Sequence, residues 1–218
     1  MEEILEKIEK EIISEFHSDR TGHDIYHLKR VLNLALHIQE KEGGDKEVIA
    51  ISALLHDIHR IKEKETGKYC TPGNSLQTIR KILEKTKIEE EKIRKILHCI
   101  EFHEEYSFSK EGKTALDKET LILQDADNLD AMGAIGIARG FMFGGAHNIP
   151  MWLPDLAFER KFFDESKKDP SEIHHFYSKL LKLKDNINTK TAKNMASERH
   201  KFMEDFLKEF FDEWKGEK

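Results

Sequence analysis

Leu54-Leu55-His56-Asp57-Ile58 decides how the chain is read. An apolar run ends here in an adjacent imidazole and carboxylate. Burying such a pair is costly unless something binds it, and a divalent cation suits imidazole and carboxylate together. Two adjacent ligands do not complete a site, so the others have to come from segments that are equally apolar.

Upstream, Asp45 caps a helix through Val48, Ile49, Ile51, Ala53 and Leu54, which places His56-Asp57 at its C-terminal end. Gly43-Gly44 closes a preceding helix, His23 to Glu42, with Val31, Leu32, Leu34, Ala35 and Ile38 inside. Before it, Glu2 to Phe16 carries Ile4, Leu5, Ile8, Ile12 and Ile13 on one helical face. Downstream, Lys62 to Gly73 reads as a loop. Asn74 to Lys85 and Ile88 to Phe102 read as helices, and Ser107 to Thr114 as a polar loop. Leu116 to Asp130 is the next helix and ends in the acidic cluster Asp125, Asp127 and Asp130. Gly133 to Gly145 is rich in small residues, which permits close helix packing. Residues 146–170 are irregular and hold three of the four prolines with Trp152, Phe158, Phe162 and Phe163. A long aperiodic segment with aromatics points to function rather than disorder. Ser171 to Lys184 and Thr189 to Lys215 read as closing helices. No strand alternation or internal repeat is visible, so the expected class is all-α.

Composition narrows the function. The 218 residues suit one domain. Charged residues make up 36%, mixed along helical stretches as solvated faces are. A net charge of −6 and a pI near 6.1 disfavour a nucleic-acid scaffold. They leave a nucleotide substrate open, since a metal brings its own positive charge. Two cysteines, Cys70 and Cys99, lie outside any CxxC, which points to a reducing cytoplasm. No signal peptide or membrane-length apolar run is read.

His23 and His27 stand at i, i+4 and share a helix face. The stripe Val31, Leu34, Ile38 brings His27 to the inward side. Any single histidine is ordinarily a hydrogen-bonded boundary residue. His27, His56-Asp57 and Asp127 differ as a set, because each lies on an apolar helical run. Residues so placed on separate helices can converge in a bundle core, as bundle metal sites do.

The chain resembles the HD superfamily of metal-dependent phosphohydrolases, and within it a group of small prokaryotic hydrolases, in its order H…HD…D. The matching stretches are 23–31, 55–58, 124–139, 175–185 and 198–203, so the likeness runs over nearly the whole chain. It implies a single HD-type helical domain over 1–218, a compact multi-helix bundle with the metal site in its core. The metal-binding core would span 20–140, the irregular aromatic segment 141–170 and the C-terminal helices 171–215. It implies His27, His56, Asp57 and Asp127 as ligands of one divalent ion (Mn, Fe, Co, Ni or Mg). Asp127 is preferred to Asp125 because the family's ligand directly follows the alanine. Asp125 would then support that ligand or face solvent. Asn128 departs from the basic residue usual after that acid, and His59-Arg60 from the small or acidic residues usual after the pair.

A metal bound by two imidazoles and two carboxylates keeps open positions for an acidified water and a polarised phosphoryl oxygen. Asp57 doubles as ligand and catalytic base, and His103 is a catalytic candidate for orienting the water or protonating the leaving group. His98 reads more readily as a surface residue. Phosphate binding falls to His23, Arg30, Lys62, Arg139, and the stripe His175, Lys179, Lys182 at i, i+4, i+7, for which a solvated face is the plain alternative. Phe141, Phe143 and Trp152 stack a base or fill the core. The expected function is hydrolysis of a nucleotide or other small phosphate ester or anhydride. A non-catalytic metal- and nucleotide-binding regulatory module is the alternative. Expected partners are the phosphorylated substrate and, as an assembly to test, a second copy in a homodimer, with no nucleic acid and no membrane.

Overall fold

The computed structural model describes residues 1–17, 19–108, 116–158, 164 and 166–218, and among them every regular element is helical. The order is α1 (Glu2–Phe16), α2 (Ile25–Glu42), α3 (Lys46–Leu55), α4 (Ile58–Thr66), a 3-10 turn Pro72–Ser75, α5 (Leu76–Glu84), α6 (Glu90–Phe102), α7 (Lys118–Asp130) and α8 (Gly133–Ala146). After an irregular stretch come α9 (Glu172–Ser178), a 3-10 turn Leu180–Lys182, α10 (Leu183–Asn186) and α11 (Lys190–Trp214).

Every residue of α3 from Val48 to Leu55 is buried. A helix that is apolar all round belongs at the centre, and α3 is enclosed by α2, α6, α7 and α1. α7 is the second core helix, packed on α2 and carrying buried Ile122, Leu123, Ala126 and Leu129. α8 packs on α7 and α11, and α11 also reaches α2. The caps are those the side chains favour. Asp24 accepts from the His27 amide, Asp45 from Glu47 and Val48, Asp117 from Thr120 and Thr189 from Ala192.

Two expectations are corrected. The span Lys62–Gly73 is not all loop, because α4 continues to Thr66 and ends where Gly67 takes a left-handed conformation (φ 65°). The span Ser171–Lys184 is not one helix. At Lys179 the backbone leaves the helical region (φ −128°, ψ −64°), so His175, Lys179 and Lys182 do not form a continuous helical stripe. The described part of 146–170 is irregular, as expected. Phe162, Phe163 and most of the Ser107–Thr114 loop lie outside the described residues. No described helix is long and apolar enough to cross a membrane.

Candidate metal centre

The central helix stops at Leu55, and Asp57 adopts φ −94°, ψ 12° before α4 restarts at Ile58. This break in the chain direction lets neighbouring side chains at 56 and 57 face one point. α2 brings His27 to that point and α7 brings Asp127. The Nε2 atoms of His27 and His56 are 3.2 Å apart. His27 Nε2 is 3.3 Å from Asp57 Oδ2 and 3.6 Å from Asp127 Oδ1, and His56 Nε2 is 3.7 and 3.6 Å from the same two oxygens. Ligands held about 2.0–2.2 Å from one ion at angles near 90–110° lie roughly 3–3.6 Å from each other, so the four atoms suit a shared cation.

The surrounding hydrogen bonds orient both rings. His27 Nδ1 donates to Asp130 Oδ2 (2.8 Å) and His56 Nδ1 to the Ala53 carbonyl (2.9 Å), which turns both Nε2 lone pairs toward the centre. Asp57 Oδ2 is buried and accepts no hydrogen bond among the described residues. Burial opposes charging His56, but Asp57 and Asp127 beside it raise its pKa to about 9. Although burial disfavours their charge, both carboxylates stay well below the usual range, held there by His56 and His27. The cluster therefore calls for one positive charge at its centre. A divalent ion would supply that charge.

His103 completes the rim. Its ring centroid is 5.2 Å from that of His56, its Nδ1 donates to the Ile100 carbonyl (2.7 Å), and its buried Nε2 has no hydrogen-bond partner among the described residues. Burial depresses its pKa and keeps it neutral. Beyond it, Arg60 bridges Glu104 (2.6 Å) and Asp57 (3.6 Å), while His59 Nε2 lies 3.5 Å from Glu104.

A cavity of about 810 Å³ lies over the cluster, with His23, Asp57, Asp127, Arg139, His175 and Lys179 on its wall. His23 Nδ1 is 3.1 Å from the Thr21 hydroxyl, and His175 Nδ1 is 3.0 Å from Asp169. Lys179 Nζ sits over the Tyr106 ring at 4.9 Å. Three of the residues expected to bind phosphate stand outside this wall. Arg30 is turned to Asp130, with Nε–Oδ1 2.7 Å; Lys62 is exposed on α4; and Lys182 lies near the Phe108 ring. Arg139, though on the wall, also donates to Asp130 (3.0 Å). Asp130 thus gathers two guanidinium groups behind His27. Despite burial, His27, Arg30 and Arg139 hold its carboxyl well below the usual range. Its signal in the sequence is its spacing: i, i+3 from Asp127 on one helix face.

Asp125 neither faces solvent nor touches the cluster. It is fully buried and accepts from the amides of Asn188 and Thr189, both at 2.8 Å. Asn128, by contrast, does reach the cavity wall. His98 is a surface residue paired with Asp117. Trp152 packs among Phe158, His174 and Phe211, and Phe141 against Phe176, so both fill the core, while Phe143 lines the cavity. Sequence reasoning missed Arg60, Glu104 and Glu172. Arg60, in the departure just after the His-Asp pair, and Glu104, directly after His103, each had a positional hint.

The HD domain profile matches residues 24–132, half of the chain, and spans all four converging residues. The chain belongs to the HD family. YpgQ of Bacillus subtilis is 37% identical over 194 residues, 88% of this chain and 84% of that one. An HD-superfamily hydrolase from Bacillus thuringiensis is 36% identical, with a TM-score of 0.71 and 98% of each chain covered. A Lactobacillus plantarum protein reaches a TM-score of 0.84 at 31% identity, with 99% of each chain covered. YpgQ has been solved in complex with ADP, and that structure superposes with a TM-score of 0.72 over 97% of this chain and 95% of its own. The chain is thus of the HD hydrolase kind, with a His/Asp cluster able to hold a metal.

Proposed function

We propose that the protein is a divalent-metal-dependent phosphohydrolase acting on a nucleotide or another small phosphate ester or anhydride. The observation that carries this reading is the pair of Nε2 atoms 3.2 Å apart beside the orphaned, buried Asp57 Oδ2. Two imidazole lone pairs and two carboxylates aimed at one point suit a cation better than any arrangement of protein atoms alone. His27, His56, Asp57 and Asp127 would hold the metal, which supplies Lewis acidity to a water and to a phosphoryl oxygen.

The chain's own groups do the rest. His103, neutral and with Nε2 open toward the cluster, can take a proton from the attacking water. Arg60 and Lys179 put positive charge on the cavity wall, where phosphate oxygens would lie. Asn128 Nδ2, buried at the same wall, offers a neutral donor. The ADP complex of YpgQ, a relative of the same fold over 97% of this chain, favours a nucleotide over other phosphates.

The test is a panel of nucleotides and phosphate esters with Mn²⁺, Co²⁺, Ni²⁺ and Mg²⁺, scoring whether phosphate or pyrophosphate leaves. Divalent-dependent turnover is expected, falling by more than roughly 100-fold in folded His56→Ala and Asp57→Ala proteins. Tight nucleotide binding by metal-loaded protein with no turnover of any panel member would replace this reading with that of a regulatory binding module.

A further inference from the structure

The apolar run Leu121-Ile122-Leu123 on α7 ends in Gln124, a side chain with no access to solvent. A buried amide is costly unless its donors and its acceptor are matched, and here they are. The Nε2 group spends its donors on one turn of chain, reaching the His103 carbonyl at 3.1 Å and the Glu105 carbonyl at 2.6 Å. Oε1 accepts from Asn188 Nδ2 at 3.0 Å. The turn directly follows α6, where the last carbonyls of a helix have no partner within it.

Two bonds thus set where His103 sits. Its Nδ1 bond to the Ile100 carbonyl fixes the ring relative to α6 (2.7 Å). The Gln124 bond fixes the residue's own backbone relative to α7. Gln124 stands three residues before Asp127, one turn away on the same helix face. A single turn of α7 therefore carries both a proposed metal ligand and the hold on His103, and a ring nitrogen of His103 comes within 4.8 Å of ligand atoms of His56 and Asp127. We propose that Gln124 is the positioning residue for His103, locking the imidazole at the distance from the cluster at which it takes a proton from the attacking water. The inference rests on the hydrolase reading of the site. The turn has other ties, Arg60 to Glu104 (2.6 Å) and the Ser107 amide to Asn186 Oδ1 (2.9 Å). Neither grips His103 itself, so removing the Gln124 donors loosens that residue without unfolding the turn.

The test is Gln124→Met, close in length and shape and without either donor. It uses Mn²⁺-loaded protein and ATP, or the panel member turned over best, as substrate. The kcat is expected to fall about 10–100-fold, while KM stays within about twofold and Mn²⁺ affinity by titration calorimetry is unchanged. A residue that acts through His103 has nothing to act on once that ring is gone. Gln124→Met placed in His103→Asn protein should therefore cost no further kcat. A loss that multiplies with that of His103→Asn, a loss confined to KM, or an undiminished kcat overturns the proposal. Should Gln124→Met not fold, Gln124→Glu carries the same expectation, since it keeps the length and the acceptor for Asn188 but offers at most one donor. Should nothing in the phosphate panel turn over, the hydrolase reading fails by itself. The imidazole nitrogen NMR signals of His103 in Mg²⁺-loaded protein, assigned with His103→Asn, then still read Gln124, and signals that do not move in Gln124→Met overturn its hold on the ring.

Discussion

Asp130 never reaches the metal position, yet it fixes the His27 ring and carries the charge that Arg30 and Arg139 answer. Asp130→Asn keeps the shape and removes that charge. Divalent affinity, measured by titration calorimetry with Mn²⁺, should fall about 10–100-fold; unchanged affinity would show that the ring needs no such support. Glu172 makes a prediction of stability. Its folded pKa of about 8 lies above the ordinary carboxyl value. From roughly pH 4.3 upward the unfolded chain ionises freely while the folded one holds its proton. Stability is therefore full below that pH and declines as the pH rises toward 8. Glu172→Gln does not titrate. Its stability should match wild type near pH 4 and exceed it at pH 8.5 by on the order of 2–4 kcal/mol, read as a higher Tm. A Tm difference that does not change with pH would contradict the buried acid. The four converging residues were legible at this scale because each is a polar residue on an apolar run. Arg60 and Glu104 were not, since they meet across 44 residues and each has an ordinary surface composition.

Helix α8 shows how far an element's sequence can be read. Its glycines announce close packing, but not what packs there. At Gly140 an added methyl meets Glu172, whereas at Gly145 nothing lies within 4 Å. Gly140→Ala should cost about 1–3 kcal/mol despite its better helix propensity. Gly145→Ala should be neutral or stabilising by up to about 1 kcal/mol. Chemical denaturation of the two variants checks the contrast, and Glu172→Ala should relieve the first. α4 and α9 were misread for opposite reasons. The last turn of α4, Lys62 to Thr66, lies at the surface and has no apolar stripe to announce it. Past α9, Phe176, Leu180, Leu183 and Ile187 keep helical spacing and are all buried, although the chain breaks at Lys179. A helix, a 3-10 turn and a short helix serve the same inward face, so periodicity cannot tell them from one continuous helix.

In the whole molecule, the all-α class and the core were readable from α2, α3 and α7, where apolar spacing and caps agree. The cavity was not, because α4, α7, α8, the segment before α2 and the segment around α9 meet there from distant parts of the chain. Since the residues proposed to hold the metal come from three separate segments, metal should bind the folded state and not the unfolded one. Divalent ion at about 100 times its Kd should add about 2.7 kcal/mol to stability, read as a Tm rise that His56→Ala abolishes. Asp125 extends this coupling. It sits two residues before Asp127 on α7, on the far side of the helix, and clasps the amides that begin α11. A chain that had not yet been made past residue 188 would leave this carboxyl buried without its partners, just behind a metal ligand. Loss of α11 should therefore loosen α7 beside Asp127 as well as the far side of the fold.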